Sequence, residues 1–182
     1  MAALVRRNLE TAGRTSETAM TAFTDGCPGL QSMLAGAGIT TPPIADWFHI
    51  AMRLQHAKQA ASGLSTDEPR RIEAKTAIVA EVERFRWRIW NGKAKDARLT
   101  LERIRKFMHV FKGERGHRTK GVPSRKLWHT LHEVDDYLRS QSARIVNYAK
   151  RHRASLSIGT SMTECTANFL VNRRMNKSQQ MR

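Results

Sequence analysis

The sequence predicts an α/β fold that is mainly α, and three observations carry the prediction. Residues 24–49 hold a strand, helix, strand pattern with an acid after each strand, and residues 70–152 are dominated by apolar positions at helical steps. The other strand-like run, Ser155 to Ile158, is short. With 182 residues the chain is long enough for one ordinary domain with a real core.

Met1 to Thr21 is polar and mixed, with Arg6, Arg7, Glu10, Gly13, Arg14 and Glu17, and it reads as a leader or an incomplete element. The run MTAF carries a β-branched threonine and leads to Asp25, which Gly26, Pro28 and Gly29 follow at once. Such punctuation places Asp25 at the end of a strand. Leu30, Met33 and Leu34 have helical spacing, and Gly36 and Gly38 can end that helix. Asp46 follows Pro42, Pro43 and Ile44 and precedes Trp47 and Phe48, where a second short strand turns into a helix beginning near His49. The product is a βαβ-like unit with acids at its edge.

From Ile50 to Ala61 the pattern stays helical, with Met52, Leu54, His56 and Ala60 interleaved with Arg53 and Lys58, until Ser62 and Gly63 stop it. Ser65, Thr66 and Asp67 ahead of Glu68 and Pro69 make an N-terminal cap with proline in the first turn. A long helix is predicted from Arg70 to Trp90, burying Ile72, Val79, Val82, Phe85 and Ile89, and Asn91 and Gly92 end it. The next helix runs from Ala97 to Lys112 on Leu101, Ile104, Met108 and Phe111. A glycine-rich basic loop with Arg115, Arg118 and Lys120 follows. A third long helix is predicted from about Ser124 to His152, on a near-heptad stripe of Leu127, Leu131, Val134, Leu138, Ile145 and Tyr148. These helices should pack on one another as a bundle or hairpin. After Gly159, Thr160 or Ser161 can cap a last helix that carries Glu164, Asn168, Arg173, Arg174 and Lys177.

The 32 Lys and Arg outnumber the 16 Asp and Glu two to one, giving a formal net charge of +16 and a pI near 11.0. That imbalance favours a polyanionic partner, most simply nucleic acid. No apolar run is long enough to span a bilayer and no signal-peptide pattern opens the chain, so a cytoplasmic protein without a membrane partner is expected. Cys27 and Cys165 are far apart and make no disulfide framework. His129 and His132 share a helix without a set of further ligands, so the histidines read as surface residues rather than zinc ligands.

Asp25, Asp46 and Glu164 are the acids whose convergence would carry chemistry, because carboxylates at a sheet edge can hold a pair of divalent metals that activate water and stabilise a leaving oxygen. For any one of them alone, a solvated carboxylate or helix cap is the commoner role. The runs TDGCPGL, DWFHIAMRLQH and TECTANFLVNRRMNKSQQMR resemble the catalytic portion of bacterial insertion-sequence transposases of the ISKra type, within the DDE class. The helical block with RWRIWNGKAK and KLWHTLHEVDDYLRSQ is similar to the same family, so the resemblance covers residues from about 18 to the end.

The resemblance implies an RNase H-like domain, here partial and interrupted by a helical insertion, that cuts and joins DNA at element ends with Mg2+ or Mn2+. It implies a leader or remnant over 1–17, a catalytic core over 18–61 and 154–182, and an insertion over 62–153. By the same resemblance Asp25 matches the second metal-binding acid and Glu164 the third, while Asp46 and His49 match a DxFH element of structural support or DNA contact, with Asn168 beside Glu164. No aspartate precedes Asp25, so the first acid has no counterpart in this sequence. A truncated frame is therefore expected, inactive alone, at the bacterial nucleoid if bound to DNA, and with an intact transposase or a second copy as partner. The alternative from the residues themselves is a basic helical nucleic-acid-binding module without catalysis. There Arg84, Arg86, Arg88, Lys93 and Lys95 lie close to Trp87 and Trp90 and would meet phosphates and stack on bases, unless the tryptophans are core and the charges a solvated face. An inhibitory partner of an intact transposase is a third reading, resting on the apolar helical stripes.

Overall fold

In the computed structural model, which describes residues 1–27, 29–112 and 122–161, apolar positions at helical period decide most of the architecture. Among the described residues there are seven α-helices and one parallel pair of two-residue strands, so the chain is mainly helical with a minimal sheet. Strand β1 (Phe23–Thr24) pairs with β2 (Ile44–Ala45) in the register Phe23 to Ile44 and Thr24 to Ala45. Helix α2 (Gly29–Gly36) forms the crossover between them. The ladder is closed by Ile44 N donating to Ala22 O and Asp46 N donating to Thr24 O, both at 2.9 Å.

Helix α1 (Ala2–Thr11) occupies the stretch that reads as a leader, and it buries no side chain. Arg14, just beyond it, donates to the carbonyl oxygens of Ala37 (2.7 Å) and Gly38 (2.5 Å), which ties this segment to the end of α2.

Helix α3 (Trp47–Ser62) starts at Asp46, whose side chain caps it, and ends at Gly63. It packs against α4 (Pro69–Trp90) and α6 (Pro123–Ser140), while α5 (Ala94–Phe107) folds back on α4. Pro69 and Pro123 each stand in the first turn of their helix, where a missing N–H leaves no hydrogen bond unmade. Ile50, Leu54, Ile78, Val82, Phe85, Ile89, Leu101, Ile104, Leu127 and Leu131 make one continuous core, which Ala45 and Tyr148 join.

Several details differ from the sequence prediction, among them the cap before α4, where Glu68 holds the N-cap position without a side-chain cap hydrogen bond. In α4 the inward stripe is Arg71, Ala74, Ile78, Val82, Phe85 and Ile89, whereas Ile72 is 50% exposed and Val79 only half-buried. The stripe admits Arg71 because Asp67 holds its guanidinium at 2.8 Å. The α5 segment begins three residues early and tightens to a 3₁₀ turn at Met108–Phe111. Finally, the near-heptad run does not remain one helix. It stops at Ser140, makes a 3₁₀ turn at Ser142–Arg144, and resumes as α7 (Tyr148–Arg153), where Asn147 caps by accepting from Lys150 N at 2.8 Å. The side-chain amide of Asn147 competes with helical hydrogen bonding at that point. No helix of the described residues is long and apolar enough to cross a membrane.

Candidate functional site at the strand ends

Asp25 and Asp46 follow β1 and β2 directly, so the parallel pairing places both acids at the carboxyl end of the two-stranded edge. Their environments differ. Asp25 is exposed, and its Oδ1 accepts from Cys27 N at 3.0 Å. Beside it, the buried Thr24 hydroxyl accepts from Gly26 N at 3.0 Å, so two side chains fix the turn. Gly26 completes that turn at φ +106°, a region that disfavours a side chain, and a Cβ there would lie 3.0 Å from Gln141 Nε2. The second carboxylate oxygen of Asp25 accepts no hydrogen bond from the described residues.

Asp46 is 1% exposed. Its Oδ1 accepts from Phe48 N at 2.8 Å, and its Oδ2 accepts from Thr160 N at 3.1 Å and from the Thr160 hydroxyl. A buried carboxylate whose two oxygens already accept from several donors has little capacity left for another ligand. Trp47 N donates to Ile158 O at 3.1 Å, so the segment from Ile158 to Thr160 lies against the start of α3. Gly159 makes this approach possible, because a Cβ there would collide with Asp46 Oδ1 and stand 3.3 Å from Phe48 N.

His49, one turn along α3, shares with Asp25, Asp46, Cys27, Met33 and Thr160 the lining of a cavity of about 410 Å³. Tyr137 of α6 stands behind the strand ends with its hydroxyl buried and without a hydrogen-bond partner among the described residues, under the Arg53 guanidinium at 4.7 Å from the ring centroid. Burial pushes the Tyr137 hydroxyl above its ordinary value; the Arg53 charge opposes that rise, and the Asp25 and Asp46 carboxylates add to it. Tyr148 from α7 donates its hydroxyl to Ala45 O at 2.7 Å, and burial pushes that hydroxyl up strongly.

Asp25, Asp46 and His49 are thus brought together, while Glu164 and Asn168 lie outside the described residues. Among the described residues no cluster of three or more His, Cys, Asp or Glu is arranged to hold a metal ion. Arg53, Tyr137 and Gln141 do not stand out in the sequence, and Thr160 does so only as a candidate cap of the last helix. Arg53 could have been found, since it lies two helical turns from Asp46 on the same face, but the Thr160 contact spans 114 residues and has no local signal.

Among the described residues, the basic side chains expected at DNA are dispersed rather than gathered. Arg84 is paired with Glu81, and Arg86 with Glu83 at 3.0 Å. Arg88 donates to Asp96 O at 2.8 Å and to the Thr100 hydroxyl, joining α4 to α5. Two helical positions are roughly 200° apart, so Arg84 and Arg86 point to different sides. Lys93 and Lys95 are exposed beside the α4–α5 turn, and Arg115, Arg118, Lys120, Arg173, Arg174 and Lys177 lie outside the described residues. Of the two tryptophans, Trp87 is 54% exposed and Trp90 half-buried, so neither is fully core. Searches of family models, curated proteins and solved structures return no match to this chain.

Proposed function

We propose that this chain is the C-terminal catalytic portion of an insertion-sequence transposase of the ISKra type, within the DDE class, whose chemistry is metal-assisted phosphoryl transfer on DNA. The observation that most supports it is an exposed carboxylate, Asp25, directly after the first strand of a parallel pair and over a cavity. Open α/β sheets bind their ligands outside the carboxyl ends of the strands. In this proposal β1, α2, β2 and α3 belong to an RNase H-like core and α4 to α7 to its helical insertion.

Mg2+ and Mn2+ take oxygen ligands, and when bound at such a site they polarise a phosphoryl oxygen and acidify water. Asp25 fits as one ligand, since an oxygen is free of the described donors. Asp46 does not fit, because Phe48 and Thr160 already occupy its oxygens; it positions α3 and the Ile158–Thr160 segment instead. Glu164 is proposed as the second ligand, with His49 and Asn168 flanking. The ligands that this proposal takes from the chain are thus Asp25 and Glu164, and an intact transposase is a proposed partner.

Addition of Mn2+ to the labelled protein tests the site without requiring turnover. The expected result is selective broadening of the Gly26 and Cys27 amide signals in wild type, lost in Asp25→Asn. DNA affinity should fall steeply with salt, as counterion release requires. Binding to DNA without any Mn2+ effect at Asp25 would favour the non-catalytic basic module.

A further inference from the structure

We infer that Trp47, Trp87 and Trp90, together with Arg86, form a cradle for one unstacked nucleobase. The four residues line a cavity of about 170 Å³. Trp47 and Trp90 make its floor, with ring centroids 4.8 Å apart, and Tyr148 backs both at 5.1 and 6.3 Å. This floor is fixed from three directions. Trp47 N donates to Ile158 O at 3.1 Å, the Tyr148 hydroxyl donates to Ala45 O at 2.7 Å, and Asp46 caps the helix that begins at Trp47. A preorganised aromatic surface loses little entropy when a planar group settles on it.

Trp87 supplies the open side. The core face of α4 is set by Ile78, Val82, Phe85 and Ile89, and helical geometry puts Trp87 near the pole opposite them, where it is 54% exposed. Arg86 holds its guanidinium 6.0 Å from the Trp87 ring centroid and is tethered to Glu83 at 3.0 Å. An exposed indole beside a guanidinium and two further indoles offers π-faces and a cation at one point, the combination on which bases of single strands stack.

Size narrows the occupant. Pockets for whole small-molecule ligands run from roughly 300 Å³ upward, so this cavity suits a single ring system. Charge narrows it further, since a chain at +16 attracts the polyanion that carries such rings. The inference rests on the reading of the protein as DNA-binding and adds that part of the bound DNA is unpaired.

The test compares Trp87→Ala and Trp87→Phe with wild type in the full chain, by fluorescence anisotropy at fixed salt. Three probes are used: a single-stranded oligonucleotide, the matching duplex, and the same single strand carrying abasic positions. The expected result is about tenfold weaker single-strand binding for Trp87→Ala, with recovery in Trp87→Phe, no change on the duplex, and no preference left for bases over abasic positions. The salt slope should stay as in wild type, because no phosphate contact is removed. Equal loss on both strand forms, or no loss on the single strand, overturns the cradle. Wild type that binds duplex but ignores abasic positions also overturns it while the DNA-binding reading stands. Wild type that binds no nucleic acid removes that reading and the cradle with it. Trp87 is exposed, so an unchanged melting temperature is expected and confirms that the variants report on binding.

Discussion

In helices α3 to α6 the side chains of Ile50, Ile78, Phe85, Ile89, Leu101, Ile104, Leu127 and Leu131 are almost wholly withdrawn from water, whereas α1 buries nothing and the two strands contribute only Thr24 and Ala45. The helical region is held by area; the strand-end region is held by a few directed hydrogen bonds. Hydrophobic burial is non-directional and stabilises in proportion to area, while a hydrogen bond to a carboxylate fixes direction more than it adds stability. The difference teaches where to look for each property. Substitutions in the helices should move global stability, and substitutions at the strand ends should move geometry.

The largest expected effect is at Phe85, which is completely buried on α4. Phe85→Ala should destabilise the fold by about 3–5 kcal/mol in urea denaturation, through lost transfer energy and the cavity left behind. A loss below about 1 kcal/mol would break the comparison, because it would mean that the helices are not the stable half.

Next comes Asp135, a polar link within the helical region, which accepts from Arg105 at 3.0 Å and Arg139 at 2.8 Å. Burial alone would raise its carboxyl, but the hydrogen bonds and charges of Arg139 and Arg105 more than offset that and hold it below the usual range. A folded value below the unfolded value of about 3.9 stabilises at higher pH, and the stabilisation fades as pH falls through the folded value. Both guanidiniums still reach water, so Asp135→Asn should cost about 2 kcal/mol at neutral pH rather than the larger loss of a sealed pair. The gap between wild type and variant should shrink below about pH 4. A gap that is flat from neutral pH to well below that point would show that the carboxylate charge does not matter there.

Gly159→Ala sharpens the contrast from the other side. Its Cβ would enter the Asp46 carboxylate, so about 1.5 kcal/mol of local strain is expected. Faster amide exchange at Phe48 and Thr160, with the Phe85 region unchanged, is the outcome that keeps the two regions distinct.

How far the sequence spoke follows the same division. The core faces of α5 and α6 were legible because apolar residues repeat at helical steps, and the βαβ unit was legible because Gly26, Pro28 and Gly38 punctuate short apolar runs. Ile72 misled because the inward stripe of α4 uses Ala74 and Arg71, one too small and one too polar to register as core. The break at Gln141 to Asn147 was masked by Ile145 and Tyr148, which keep the heptad step while the backbone leaves the helix. At the strand ends, position in the chain located Asp25 and Asp46 but could not rank their exposure. That ranking depends on Thr160 and Gly159, which are distant in sequence and carry no periodic signal.

The smallest expected effect on stability is at Asp25, and it separates the regions most cleanly. Its carboxylate makes one turn hydrogen bond to Cys27 N and is otherwise exposed, so Asp25→Asn keeps an acceptor oxygen and should change stability by less than about 0.5 kcal/mol. Asp46→Asn should cost more, about 1 kcal/mol, because the amide replaces one of two oxygens that already serve N–H and O–H donors at the start of α3. Paired urea titrations of the two variants measure this inequality directly. The reverse order would mean that Asp25, not Asp46, is the structural acid, and would withdraw it as the carboxylate available to a metal. If the order holds, stability at Asp25 is indifferent to its charge, and any loss of the Mn2+ effect in Asp25→Asn reports on the missing ligand rather than on the fold.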